Sequence, residues 1–146
     1  APVPRTGPVV LLAATPGEEH TLPLDAVAAA LTARGIGFRM LGSSVPPLAL
    51  AQAHRRLGPA ALLLWSQCRA TAAPQLAADL LNLPFGVAGA RHSPLLLLGG
   101  PGWRAAGTPQ AALRPASLRA AVDLAVAARD VFVAPPAHAG AGRRWR

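Results

Sequence analysis

The chemically capable side chains of this chain gather in three short loops. The first, Thr15-Pro16-Gly17-Glu18-Glu19-His20-Thr21-Leu22-Pro23, carries a histidine with a carboxylate two positions before it. The second is Ser66-Gln67-Cys68-Arg69, and the third is Gly99-Gly100-Pro101-Gly102-Trp103. Histidine is the commonest metal ligand, and a carboxylate bonded to the second ring nitrogen fixes its tautomer and raises its basicity. Glu18 and His20 suit that pairing. A single histidine without companion ligands holds a bare ion poorly. It is enough for a metal already caged in a macrocycle, which needs only one axial ligand from the protein.

Other chemistries are disfavoured by the same loops. A phosphate cradle needs small residues and free amides where the first loop places two acids, and no G-x-G-x-x-G is present. A phosphoacceptor domain needs an aspartate at the end of the third strand and a lysine near the fifth. Here the third strand ends Trp65-Ser66, and all 14 basic residues are arginine. Cys68 is the one cysteine, so neither an internal disulfide nor a cysteine pair for zinc is available, and it is expected to behave as a small buried hydrophobe. The net charge of +8 comes from scattered arginines and a terminal Arg143-Arg144-Trp145-Arg146, which reads as a solvated tail and not as a nucleic-acid surface. His54, His92 and His138 are expected on the surface, and Trp103 is expected either as a packed lid or as a cofactor contact.

The loops need a scaffold that brings them together, and the pattern supplies one. An apolar fraction of 52% over 146 residues is ample for one core. Val9 to Ala14 is an unbroken apolar run, as in a parallel strand buried on both faces. Leu24, Val27, Ala28 and Leu31 then recur at helical spacing, ended by Gly35. The cycle repeats as strand 38–41 and helix 47–57, strand 60–65 and helix 74–83, and strand 95–98. A weak fifth strand follows near 111–114, and a closing helix reaches about Arg129. Such alternation predicts a flavodoxin-like, Rossmann-like α/β fold, with a doubly wound parallel five-stranded sheet between helical layers. In such sheets ligands sit beyond the carboxyl ends of the strands, at the switch point of the topology.

At the three loops the sequence resembles the cobalamin-binding domain of methyltransferases, mutases and cobalamin-sensing regulators. That family's pattern is Asp-x-His-x-x-Gly after the first strand, Ser-x-Leu after the third and Gly-Gly after the fourth. The matching residues are Glu18-Glu19-His20-Thr21-Leu22-Pro23, Ser66-Gln67-Cys68 and Gly99-Gly100, and the resemblance covers roughly Val9 to Ala128. It implies cobalamin bound base-off, with His20 as the lower axial cobalt ligand in place of the cofactor's own benzimidazole. Glu18 would orient His20, and Gly17 and Cys68 would lie in the binding loops. Ser66 would hydrogen-bond the base of the displaced nucleotide tail, and Gly99 and Gly100 would let that tail lie on bare backbone. Three positions depart from the pattern: Glu18 for aspartate, Cys68 for leucine, and Pro23 for the glycine that gives the corrin access to the helix start.

The wording of the loops looks most like the C-terminal sensor domain of MerR-type transcriptional regulators. That resemblance implies a non-enzymatic, cytoplasmic sensor, light-responsive where adenosylcobalamin is the form bound. The full-length protein would self-associate, and DNA would be contacted only through a helix-turn-helix module outside this chain. No membrane partner is expected. The competing expectations are a cobalamin-carrying subunit of a mutase or methyltransferase, and a degenerate domain that no longer binds the cofactor. The expected organisation is a linker remnant at 1–8, the cobalamin-binding domain at 9–130 and an unstructured basic Pro/Ala/Gly-rich tail at 131–146.

Overall fold

A computed structural model describes residues 7–83 and 93–133. Four strands, β1 (Val10–Ala14), β2 (Phe38–Gly42), β3 (Ala61–Trp65) and β4 (Leu95–Gly99), alternate with helices α1 (Leu22–Ala33), α2 (Pro47–Leu57), α3 (Pro74–Leu81) and α4 (Leu118–Val133). All strand pairs are parallel, in the order β2-β1-β3-β4.

The central strands are buried on both sides because their side chains alternate between two apolar layers. Val10, Leu12 and Ala14 of β1, with Ala61, Leu63 and Trp65 of β3, pack against Leu24, Val27 and Leu31 of α1 and Ala121, Val122 and Ala125 of α4. Leu11, Ala13, Leu62 and Leu64 point the other way, against Leu50 of α2 and Leu76, Ala77 and Leu80 of α3. This is the predicted doubly wound, three-layer α/β/α arrangement. Pro23 and Pro47 are accommodated in the first turns of their helices, where a missing N–H breaks no helical bond.

The fifth strand differs from expectation. Residues 111–114 contribute one parallel bridge, with Leu113 N donating to Leu96 O at 3.0 Å and Leu113 O accepting from Leu98 N at 2.8 Å. Pro109 and Pro115 bracket that position and cannot donate to a ladder, so pairing does not spread from it. The sheet therefore has four strands with a bridge at its edge. At the C-terminal end α4 runs to Val133, beyond the expected Arg129 and into the segment assigned to the tail. The linker residues 1–6, His92, and tail residues 134–146 with His138 lie outside the described residues.

The register matters most for the site. Ala14 pairs with Trp65, and Trp65 pairs with Gly99, so β1, β3 and β4 end side by side. The loops that follow them start from one edge, and the strand order reverses direction between β1 and β3, at the first and second of those loops.

Candidate functional site

The first loop leaves β1 through a tight turn. Glu18 N donates to Thr15 O at 2.9 Å, with Pro16 and Gly17 at the corners and Gly17 at φ +81°. These are the features of a type II turn, which favours proline first and requires a residue tolerant of positive φ second. The loop after β2 braces it from the side: Gly17 N donates to Ser44 Oγ at 2.9 Å, and Ser44 N donates to Glu18 O at 2.8 Å. Ser44 sits at φ +44°, a conformation that serine adopts here under those two bonds.

This turn drives the Glu18 side chain inward, to 1% exposure. Its carboxylate accepts four hydrogen bonds. Oε1 takes His20 N at 2.9 Å and His20 Nδ1 at 2.6 Å, while Oε2 takes Gln67 N at 2.7 Å and Thr71 Oγ1 at 2.5 Å. Burial acts most strongly on this carboxyl group and pushes its pKa up. The bonds from Thr71, the His20 and Gln67 amides and the His20 ring together outweigh it and bring the pKa down to about 2. Glu18 is therefore ionised at neutral pH and joins the β1 loop to the β3 loop.

The His20 side chain is 66% exposed, with Nδ1 held by the carboxylate. Donation from Nδ1 makes Nε2 the nitrogen that carries the free lone pair, and Nε2 has no partner among the described residues. Among those residues no three His, Cys, Asp or Glu side chains gather around it, so this imidazole can serve as one ligand to a metal whose other ligands come from elsewhere.

Ser66 is fully buried, and its hydroxyl is committed within the protein, 2.9 Å from both Cys68 O and Thr71 Oγ1. With the Thr71 proton on Glu18, the single Ser66 proton is shared between Thr71 Oγ1 and Cys68 O. The Ser66 hydroxyl, expected from the resemblance to bond the base of a bound tail, is engaged here in the network beneath His20. Thr71 is the residue that sequence reasoning missed. It is the one hydroxyl in Arg69-Ala70-Thr71-Ala72-Ala73, and the only signal available was that isolation near the end of a strand.

Cys68 is exposed, contrary to the expected buried hydrophobe, and its carbonyl oxygen does more than its thiol by accepting from the Ser66 hydroxyl and the Thr71 backbone amide. His54 is also corrected: it is 3% exposed on the inner face of α2. Burial there lowers its pKa to about 4.

A cleft of about 530 Å³ opens between the ends of β3 and β4 and the start of α4, with Leu63, Trp65, Gly99, Gly100, Ser117 and Ala121 among its walls. Gly99 and Gly100 border this cavity, and each is also hemmed in by the protein itself. A Cβ on Gly100, at φ +100°, would overlap the Ser66 carbonyl oxygen, and one on Gly99 would lie 3.0 Å from both Leu63 and Trp65. Trp103 is core: it is 1% exposed, with Nε1 donating to Leu64 O at 3.2 Å.

No protein-family model matches the sequence, and no curated protein matches it. Solved structures do match its fold. A cobalamin-binding protein from Desulfitobacterium hafniense superposes with a TM-score of 0.65 at 15% identity, over 84% of this chain and 60% of that one. The methanol:cobalamin methyltransferase complex of Methanosarcina barkeri gives 0.67 at 19% identity, over 91% and 49%. The monomethylamine corrinoid protein of the same organism gives 0.54 at 18%, over 82% and 57%. The chain spans between about half and three-fifths of the length of these structures. The class so defined is one of fold: a doubly wound α/β domain of the kind found in cobalamin-binding proteins. Two of the three are named for methyltransfer or corrinoid carriage and none as a regulator. Among the described residues no helix is long and apolar enough to cross a membrane.

Proposed function

We propose that this domain binds a cobalamin, with His20 Nε2 as the lower axial ligand to cobalt. The observation that carries the reading is the Glu18–His20 pair: a buried, ionised carboxylate holds Nδ1 at 2.6 Å beneath a ring that is 66% exposed at the topological switch point. The chain fits the group in two further respects. One imidazole is all that a corrin-caged metal asks of the protein, and a cleft at the same sheet edge has room for part of the displaced tail.

A bound corrin supplies the cobalt chemistry, and the protein's part is to hold and orient it. Glu18 keeps the proton on Nδ1 and the lone pair on Nε2. The Thr71 and Ser66 hydroxyls and the Gln67 amide keep Glu18 in place. Pro23, where the family pattern has glycine, lies in the first turn of α1, so corrin substituents meet a ring there instead of bare backbone.

The role of the loaded domain follows from its partners. Carriage of a corrinoid for a methyltransferase is supported by the fold neighbours named for that chemistry. A regulator's sensor domain is supported by the loop wording alone. Gel filtration of the adenosylcobalamin-loaded chain before and after illumination separates the two, a light-dependent change in mass favouring the sensor.

Titration with hydroxocobalamin, followed by absorbance, tests the binding itself. The parent chain is expected to give a histidine-ligated spectrum that His20→Ala abolishes or greatly weakens, and bound ligand should raise the parent's melting temperature by mass action. Equal affinity and identical spectra for parent and variant would overturn the assignment.

A further inference from the structure

The carboxyl end of β2 is irregular just before the chain meets the His20 loop. Its pairing with β1 slips from Leu12 opposite Met40 to Ala13 opposite Gly42, which leaves Leu41 as an extra residue in the strand. Gly42 follows at φ +88°, and Ser44, at φ +44°, is the one non-glycine residue with positive φ among the described residues. Val45 then returns to the core, buried with its N–H on Ala14 O at 3.2 Å. Bulges and left-handed residues persist where the surroundings hold them, and they gather where a group must be re-aimed. What this distortion delivers is Ser44, whose Oγ accepts from Gly17 N at 2.9 Å and whose N–H donates to Glu18 O at 2.8 Å. Among the described residues no other hydrogen bond ties the main chain of residues 16–20 to a different element.

We infer that Ser44 is a positioning residue for His20: it fixes the main chain at Gly17 and Glu18, and through Glu18 it sets the direction in which the ring's Nε2 is aimed. The inference rests on the proposed ligation by His20 and extends it to a residue on a different element. Glu18 Oε1 holds both His20 N and Nδ1, so any turn of Glu18 is passed on to the ring. The ring itself is 66% exposed and has little packing of its own to hold it. Gln67 N and Thr71 Oγ1, from the β3 loop, both bond Oε2, about which the carboxylate can still pivot. The two bonds to Ser44 come from the opposite neighbour of β1 and remove that pivot. Glu18 is thus stretched between two loops, its side chain on one and its main chain on the other. A ligand binds well only when its supporting groups hold it in line with the metal, so a loss of aim is read as a loss of affinity.

Two variants of the full chain separate aim from fold. Ser44→Gly removes the hydroxyl and relieves the positive φ, so its melting temperature is expected to stay near the parent's. Ser44→Asn tolerates that φ and offers a carbonyl oxygen to Gly17 N, which makes it the expected rescue. In the ligand-free chain, the ring nitrogen-15 shifts of His20 report the share of the ring carrying its proton on Nδ1. That share is expected to fall in Ser44→Gly and to return in Ser44→Asn. Affinity for hydroxocobalamin should fall in step in Ser44→Gly, by about three- to tenfold, the factor that one hydrogen bond of ordinary strength gives. Ring shifts in Ser44→Gly identical to the parent's overturn the inference, and so does equal affinity of the two for hydroxocobalamin; His20 ligation stands in either case. Failure of the parent to bind hydroxocobalamin overturns the cobalamin reading instead, and the ring shifts then decide the coupling of Ser44 to His20 by themselves.

Discussion

Glu18 grips His20 twice from one oxygen, through the backbone amide at 2.9 Å and the ring Nδ1 at 2.6 Å, so the loop and the imidazole are positioned by the same atom. The carboxylate is almost wholly buried while the ring is mostly exposed, so the charge that sets the tautomer is shielded from solvent and the nitrogen left over is not.

Glu18→Gln keeps the shape and removes the charge. Because the carboxyl pKa is lowered from 4.5 to about 2, the stabilisation from its ionised form is fully present above about pH 4.5 and is lost as pH falls through about 2. Urea denaturation at pH 7 should show the variant less stable by about 2–3 kcal/mol, with the gap closing towards pH 2. Its affinity for hydroxocobalamin should fall by about tenfold, as for other partners of a ligating histidine.

Thr71→Val is nearly isosteric and removes the hydroxyl between Ser66 and Glu18. A loss of about 1–3 kcal/mol is expected, with Thr71→Ser close to the parent. Equal stability of all three proteins in denaturant would mean that the network does not depend on this bond.

Gly100→Ala combines a positive φ with overlap on the Ser66 carbonyl oxygen, and at least about 2 kcal/mol should be lost. Gly107→Ala is the control, since a Cβ there meets nothing within 4 Å; its melting temperature should stay near the parent's.

His54 gives a second pH limb, set apart from that of Glu18. Its folded pKa of about 4 lies below the ordinary 6.5, so the unfolded chain takes up the proton more readily. The stability tied to the neutral ring is complete above about pH 6.5 and is lost as pH falls through about 4, by roughly 3 kcal/mol. Denaturation midpoints across that range should fall in the parent and stay flatter in His54→Leu.

The strand runs and the helical spacing of Leu24, Val27, Ala28 and Leu31 made the layers legible, because burial on two faces or on one stripe leaves a periodic mark in a sequence. The Glu18–His20 pairing was legible for a similar reason, as its two members are close in the chain. The fifth strand was overread because an apolar triplet, Ala111-Ala112-Leu113, says nothing of whether flanking prolines will let a ladder spread. His54 was misplaced because a lone polar residue on an amphipathic helix carries no sign of how deeply that helix is sunk.

The order of elements, the turn at Pro16-Gly17 and the candidate ligand were therefore set by local sequence, where sterics and short-range hydrogen bonds decide. Which hydroxyl bonds Glu18 and where Ser66 turns were decided only when residues some fifty positions apart met at one sheet edge. Hydrogen-bond partners in a packed interior are chosen by competition among neighbours, and the neighbours do not exist until the chain has folded.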